Sequence, residues 1–200
     1  MKPRRVVVTG IGAIAPLGKT AEEVWQNMIN GLSGSAPITR FDASKFKTQF
    51  ACEVKDFDPA NYFDRKEARK YDQYTMFAFI SAAEAVKNSG LDLETINKDR
   101  AGVIWGSGIG GLDTFISEIS EWAKGDGTPR FSPFFIPKMI TNMASGLLAI
   151  EYGFKGVNYT CVTACASSSH AMVEAMNNIR WNKADIILTG GSEAAVNEAG

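Results

Sequence analysis

Residues 157–169 read Val157-Asn158-Tyr159-Thr160-Cys161-Val162-Thr163-Ala164-Cys165-Ala166-Ser167-Ser168-Ser169, a short β-prone run followed by small residues. Apolar residues then recur at helical spacing, which predicts an amphipathic helix whose apolar face contains Met172, Ala175, Met176 and Ile179. Cys165 therefore falls at a strand-to-helix turn, where unpaired backbone N–H groups and the positive end of the helix dipole meet. Such a position favours a thiolate, and the small neighbours leave room for a substrate carbonyl.

Two interpretations of Cys165 remain open on spacing alone. Free cysteines are among the most buried residue types, and they commonly act as small apolar filler. A thiol at a helix N-terminus is also the usual setting of a reactive nucleophile. The choice between them depends on the residues around it.

These residues resemble the active-site segment of the β-ketoacyl-[acyl-carrier-protein] synthases. The resemblance is carried by Thr163-Ala164-Cys165-Ala166-Ser167 and, after an apolar helix, by Ile187-Leu188-Thr189-Gly190-Gly191-Ser192-Glu193. Four further pieces appear in the family's order, at residues 7–12, 66–70, 106–111 and 132–137. The sequence is most similar to the type II condensing enzymes of fatty-acid synthesis.

The resemblance implies an acyltransferase that works without a cofactor or a metal. Cys165 would carry the acyl group, with its own backbone N–H as an oxyanion donor, and a decarboxylative Claisen condensation with malonyl-acyl-carrier protein would follow. The family's two catalytic histidines and lysine have no counterpart here. His170 is the single histidine of the sequence and lies about 140° round the helix from Cys165. We expect residues 1–200 to be the N-terminal half, inactive without an absent C-terminal half.

A cluster of cations precedes the longest predicted helix. Arg65-Lys66-Glu67-Ala68-Arg69-Lys70 would place four cations on one side of a helix, which is usually a solvated face. The resemblance implies instead that Lys66, Arg69 and Lys70 bind an acidic acyl carrier protein.

Two apolar side chains are implied to line the acyl pocket. Ile109 is the single large side chain within the glycine-rich residues 106–111, and Phe134 lies in the proline-stiffened apolar loop 131–137. In the family the second loop reaches the channel of a second subunit, so we expect a homodimer. The alternative is that both side chains only fill the core.

Strand and helix patterns alternate along the chain. Val6-Val7-Val8, Gly102–Trp105 and Ala184–Thr189 each read as a strand that runs into a glycine, and helices are predicted at 20–30, 71–88, 112–123 and 138–152. This alternation predicts a layered α/β fold with a buried, mostly parallel sheet. It agrees with the thiolase-like fold that the resemblance implies. Residues 31–63 are predicted to be an irregular excursion.

Composition excludes several classes of protein. The formal charge of −1 argues against a globally basic nucleic-acid binder. Three cysteines without a CxxC pair argue against a disulfide framework or a zinc site and favour the reducing cytoplasm, with Cys52 and Cys161 expected in the core. No apolar run is long enough to span a membrane, and glycines interrupt the N-terminal apolar run that would otherwise suggest a signal peptide.

Neither glycine-rich segment predicts a nucleotide site. Residues 10–15 match the loose GxGxxA pattern, but Pro16-Leu17-Gly18 stands where the helix of a dinucleotide fingerprint should begin. Residues 106–111 lack the Gly-Lys-Ser/Thr ending of a P-loop.

Three alternatives to fatty-acid elongation are considered. A polyketide ketosynthase shares the nucleophile segment. A non-catalytic, chain-length-setting scaffold subunit is disfavoured by the presence of Cys165. Thiolase-like degradation is disfavoured by residues 132–137 and by the basic cluster.

Overall fold

A three-stranded parallel sheet forms the centre of the molecule. The computed structural model describes residues 4–200. The strand order is β4–β3–β5, with β3 (Ala101–Gly106) between β4 (Asn158–Cys161) and β5 (Ile186–Gly191). The register aligns Gly106 with Cys161 on one side and with Gly191 on the other, so the three strands end at the same edge.

Helices cover both faces of this sheet. Within residues 4–200 they are α1 (Ala21–Ile29), α2 (Arg65–Ala68), α3 (Gln73–Ser89), α4 (Leu112–Lys124), α5 (Phe135–Met139), α6 (Met143–Tyr152) and α7 (Ser167–Arg180). α3 and α6 pack on the face that carries Val103 and Trp105, and α7 packs on the opposite face against Ile104. Because both faces are covered, all of β3 is buried. The predicted layered α/β fold is confirmed.

Residues that commonly cap helices mark the start of α1 and the end of α3. The Thr20 hydroxyl accepts a hydrogen bond from the Glu23 N–H at the start of α1. Gly90 ends α3 in the left-handed conformation, with φ of 66°. The predicted helices at 20–30, 71–88 and 112–123 are confirmed by α1, α3 and α4.

The predicted buried strand at Val6-Val7-Val8 is wrong. Residues 4–10 belong to no strand, and Val7 and Val8 are 60% and 80% exposed. Arg4 fixes the beginning of this segment by an ion pair with Asp185 at 2.7 Å. β-Branched residues form a strand only where a neighbouring strand supplies backbone partners, and in residues 4–200 β5 pairs with β3 alone.

The helix predicted at 138–152 is interrupted. α5 ends at Met139 because Ile140 has an extended backbone, and α6 begins only at Met143. The Tyr74 hydroxyl donates a hydrogen bond of 2.6 Å to the Ile140 carbonyl at this break, so α3 holds the interruption in place. Burial raises the pKa of Tyr74 to about 12, which keeps this donor protonated.

The buried face of α7 is made of smaller residues than predicted. Ser167, Ala171, Ala175 and Asn178 are buried, whereas Met172 is 50% exposed. Small side chains let the helix lie close to the sheet. The predicted apolar face is therefore rotated, and only its Ala175 is fully buried.

The region between α1 and α3 has little regular structure. Within 31–63 it forms one antiparallel pair of two-residue strands, β1 (Ala36–Pro37) with β2 (Phe50–Ala51), and a 3₁₀ turn at Pro59–Asn61. α2 is a single turn capped by Asp64 and ends at Ala68. The prediction of four cations on one helical face is therefore wrong, although Lys66, Arg69 and Lys70 are all exposed.

No helix in the described part of the chain has both the length and the apolar character needed to cross a membrane. Residues 4–200 also place no three histidine, cysteine, aspartate or glutamate side chains together as a metal site.

Replacing Gly106 by alanine should destabilise the fold beneath α7. A Cβ at Gly106 would lie 2.5 Å from the carbonyl oxygen of Ser167 and 2.5 Å from the nitrogen of Ser168. These are backbone atoms that cannot rotate away, so we expect a loss of about 1–3 kcal/mol or more in the free energy of unfolding. Thermal unfolding of the full-length protein measures it.

Gly146→Ala is the matched control. A Cβ there meets no heavy atom within 4 Å, and alanine favours a helix interior over glycine by about 0.5–1 kcal/mol. Equal melting temperatures for the two variants would contradict the close approach of α7 to β3.

Candidate active site

A tight turn between β4 and α7 presents Cys165. Ala164 has a positive φ of 50°, which is uncommon for a residue with a side chain. The turn is closed by two backbone hydrogen bonds, from Ala166 N–H to the Thr163 carbonyl at 3.1 Å and from Ser167 N–H to the Ala164 carbonyl at 3.0 Å. Cys165 is exposed, so its thiol is open to a substrate.

The side chain of Ser167 holds this turn from below. Its hydroxyl accepts a hydrogen bond from the Thr163 N–H at 2.9 Å and donates one to the Ala164 carbonyl at 2.7 Å. Ser167 is buried, and the sequence analysis did not assign it a function. In the sequence, the one feature that could have indicated this role is a serine that follows an alanine at the start of a predicted helix.

The N-terminal end of α7 shapes the electrostatics around the thiol. Cys165 lies two residues before a helix of fourteen residues, whose positive dipole end favours negative charge. Within residues 4–200 the backbone N–H of Cys165 has no hydrogen-bond acceptor. This N–H is therefore available to an oxygen that develops negative charge beside the sulfur.

His170 contacts the turn that carries Cys165 through Thr163. It is exposed on α7, and its Nδ1 lies 3.2 Å from the Thr163 hydroxyl.

The other two cysteines differ from the prediction in part. Cys52 is exposed, not buried, and follows β2 in the irregular region. Cys161, at the end of β4, is half-buried, and burial raises the pKa of its thiol.

The glycine-rich loop 106–111 runs past the nucleophile turn. A Cβ at Gly108 would lie 3.4 Å from the Cα of Ala164, so the two backbones are in close contact. At its other end the loop is bound to α5 by a hydrogen bond of 3.0 Å from Gly111 N–H to the Met139 carbonyl. Ile109 is 51% exposed in the middle of the loop.

Phe134 lies directly before α5 and is also partly exposed. The loop that carries Ile109 therefore touches both the turn that carries Cys165 and the helix that follows Phe134. Cys165, Ile109 and Phe134 therefore belong to one contiguous group of loops at the carboxyl edge of the sheet.

The basic segment of Lys66, Arg69 and Lys70 is connected to this group through Asp72. Asp72 caps α3 and accepts hydrogen bonds from the Thr114 hydroxyl at 2.6 Å and from the Thr114 N–H at 3.2 Å. Thr114 lies in the first turn of α4, directly after the glycine-rich loop. Burial raises the pKa of the Asp72 carboxyl group. No pattern in the sequence marked Asp72 for this role.

Ser167→Ala should loosen the nucleophile turn. It removes both hydrogen bonds of the hydroxyl, and the loss of a partner by a buried polar group costs about 1–3 kcal/mol. We expect a lower free energy of unfolding and a changed rate of alkylation at Cys165, measured by denaturant titration and by mass spectrometry with iodoacetamide.

Ser169→Ala is the control, because Ser169 is exposed on the same turn of α7. If Ser167→Ala matches this control in both stability and alkylation, Ser167 does not hold the turn.

Sequence comparisons agree with this geometry. Residues 3–200 match the family model described as "Beta-ketoacyl synthase, N-terminal domain". The 3-oxoacyl-[acyl-carrier-protein] synthase 2 of Coxiella burnetii is 47% identical over 195 residues, which cover 98% of this chain and 47% of that protein. The chain thus spans about half the length of the curated relatives it matches.

Solved structures share the fold. "The ishigamide ketosynthase/chain length factor" is 29% identical with a TM-score of 0.89, over 98% of this chain and 49% of that chain. A second structure, of the type II PKS acyl-carrier protein in complex with its ketosynthase bound to the hexaketide (AntDE:AntF), is 25% identical with a TM-score of 0.82. It covers 100% of this chain and 52% of that chain. The chain belongs to the beta-ketoacyl synthase family and corresponds to its N-terminal domain.

Proposed function

We propose that this chain supplies the nucleophile of a β-ketoacyl-acyl-carrier-protein synthase in fatty-acid elongation. The Cys165 sulfur attacks the carbonyl of an acyl-carrier thioester, the carrier thiol leaves, and the acyl group remains as a thioester on Cys165. Malonyl-carrier protein then loses CO₂, and its carbanion attacks the acyl-enzyme. This step gives the β-ketoacyl-carrier protein and restores the thiol.

The observation that carries the proposal is the exposed thiol on the turn that precedes α7. A tetrahedral intermediate on Cys165 bears its oxyanion beside the backbone N–H of the same residue, which is unoccupied within residues 4–200. The positive end of the α7 dipole also stabilises the negative charge of this oxyanion.

No residue of this chain is assigned to the decarboxylation of the malonyl group. His170, which contacts the Thr163 hydroxyl, is the single histidine of the sequence, whereas the resemblance implies two catalytic histidines. We assign that step to the remainder of the full-length protein, because the relatives are about twice as long as this chain.

Cys165→Ala should abolish acyl transfer from the carrier to the full-length protein. Cys52→Ala is the matched control, because Cys52 is also an exposed free thiol but follows the strand β2 and does not precede a helix in the sequence. We expect mass spectrometry to find the acyl group on the peptide with Cys165 in wild type and in Cys52→Ala. A stable acyl-enzyme in Cys165→Ala would overturn the assignment.

A polyketide ketosynthase is the second candidate. The structural neighbour whose title names a type II PKS is 25% identical, whereas the 3-oxoacyl-[acyl-carrier-protein] synthase 2 of Coxiella burnetii is 47% identical. The comparison favours fatty-acid elongation. A scaffold subunit without catalysis would have no use for a thiol presented in this way.

The basic segment is proposed to bind the acyl carrier protein. Lys66, Arg69 and Lys70 are exposed, and none of them forms an ion pair within residues 4–200. Their charges are therefore available to an acidic partner. One neighbouring structure is of a ketosynthase in complex with its acyl-carrier protein.

Reversing two of these charges should weaken carrier binding. Lys66→Glu/Arg69→Glu in the full-length protein should raise the KM for the acyl-carrier substrate, and added salt should narrow the difference from wild type because the Debye length is about 8 Å at physiological ionic strength. Lys45→Glu/Lys47→Glu is the control, since it changes the net charge equally at two other exposed lysines. Equal KM values for both double variants would show that the basic segment is a solvated surface that does not bind the carrier.

Ile109 and Phe134 are proposed to border the acyl pocket. Both side chains are partly exposed, so neither is buried in the core of the described residues. Ile109 projects from a loop that contacts the nucleophile turn, which is where an acyl chain on Cys165 would begin.

A homodimer in the cytoplasm is the proposed setting. Among residues 4–200, β4 pairs only with β3 and leaves an open edge, and exposed apolar side chains surround it at Tyr159, Val162, Met172 and Val173. A second copy would cover this surface. All three cysteines are free, which fits a reducing compartment.

A further inference from the structure

The carboxylate of Glu193 binds the glycine-rich loop from the adjacent strand. Its Oε2 accepts hydrogen bonds from Gly108 N–H at 2.6 Å and from Ile109 N–H at 3.1 Å. Its Oε1 accepts from Gly110 N–H at 3.3 Å and lies 3.5 Å from the Ser107 hydroxyl. Three successive backbone donors of one loop therefore converge on a single side chain.

Glu193 is itself held in place by the sheet. It follows β5, and the preceding Ser192 is fixed twice: its N–H donates to the Gly106 carbonyl at 3.0 Å, and its hydroxyl accepts from Trp105 Nε1 at 3.0 Å. The carboxylate thus projects from a rigid point beside the end of β3, and it transmits that rigidity to the loop. Hydrogen bonds to a charged acceptor are stronger than those between neutral groups.

Two glycines of the loop lie close to their neighbours. A Cβ at Gly108 would lie 2.9 Å from Oε2 of Glu193, and Gly110 has a positive φ of 78° with a Cβ position 2.6 Å from the Met139 carbonyl oxygen. Ile109 is the one residue between them with a side chain, and its N–H is bound to the same carboxylate. The clamp, meaning the hydrogen bonds from residues 108–110 to the Glu193 carboxylate, therefore fixes the backbone from which the Ile109 side chain projects.

We propose that Glu193 is a positioning residue that sets the chain-length selectivity of the enzyme by fixing Ile109 as a wall of the acyl pocket. This inference rests on the proposed function, since it assigns Ile109 to a pocket for an acyl chain on Cys165. Glu193 acts through the loop, because its oxygens accept hydrogen bonds from the backbone N–H groups of residues 108–110. Loss of the clamp lets the wall move and makes the pocket less selective.

The test compares Glu193→Gln with the control Glu198→Gln in the full-length protein. Glu198 is an exposed glutamate five residues further on, with no hydrogen bond to the loop. Glutamine keeps the shape of the side chain but replaces one acceptor oxygen by a donor. Hydrogen exchange at the amides of residues 108–110 should become at least about tenfold faster in Glu193→Gln and stay unchanged in Glu198→Gln. Unchanged exchange in Glu193→Gln overturns the clamp.

Selectivity is measured on the same variants as the ratio of kcat/KM for C4 and C10 acyl-carrier substrates. Glu193→Gln should move this ratio toward one. Ile109→Phe should instead block C10 while sparing C4, and the double variant should lose part of this block, because a larger side chain on a mobile loop no longer obstructs the pocket.

The outcomes distinguish failure of the positioning role of Glu193 from failure of the proposed function. Equal losses for C4 and C10 in Glu193→Gln, or strict additivity in the double variant, overturn the positioning role while Cys165 remains the nucleophile. A wild-type protein that takes no acyl group on Cys165 overturns the proposed function and the pocket-wall role with it, and the exchange experiment then still decides whether the clamp exists.

Discussion

The close approach of α7 to the ends of β3 and β5 is the constraint on which the site depends. The first turn of α7 can lie on the sheet only because Gly106 and Gly191 carry no side chain: a Cβ at Gly191 would lie 2.7 Å from the Cβ of Ser168. Further along α7, the buried face is also made of small residues, among them Ala171 and Ala175. The helix N-terminus is thereby fixed at the edge where all three strands end.

The turn before α7 presents the Cys165 thiol at the edge that this packing fixes. With the strand end and the helix start both fixed, the residues from Val162 to Ala166 must reverse direction in a short distance, and Ala164 adopts a positive φ to do so. Cys165 is left at the tip with its backbone N–H unoccupied within residues 4–200. A fixed strand, a tight turn and a helix dipole together give a nucleophile and an oxyanion donor from adjacent atoms.

Local patterns in the sequence predicted the features that depend on neighbouring residues. The capped helices, the buried β3 and the strand-to-helix turn at Cys165 follow from periodicity and capping residues. Features that depend on distant partners were not predictable in this way. Within residues 4–200, Val6-Val7-Val8 has the composition of a strand but no partner strand, and Cys52 is exposed where it follows the short strand β2. Glu193 meets its loop across 83–85 residues of sequence, so nothing in its neighbourhood marks the contact.

The structure of an acyl-enzyme of the full-length protein tests the central claim most directly. The account predicts continuous density from Cys165 Sγ into the acyl group, with the thioester oxygen within about 3 Å of the Cys165 N–H and the chain running alongside Ile109. An acyl group bound to another residue, or a thioester oxygen turned away from this N–H, would contradict it.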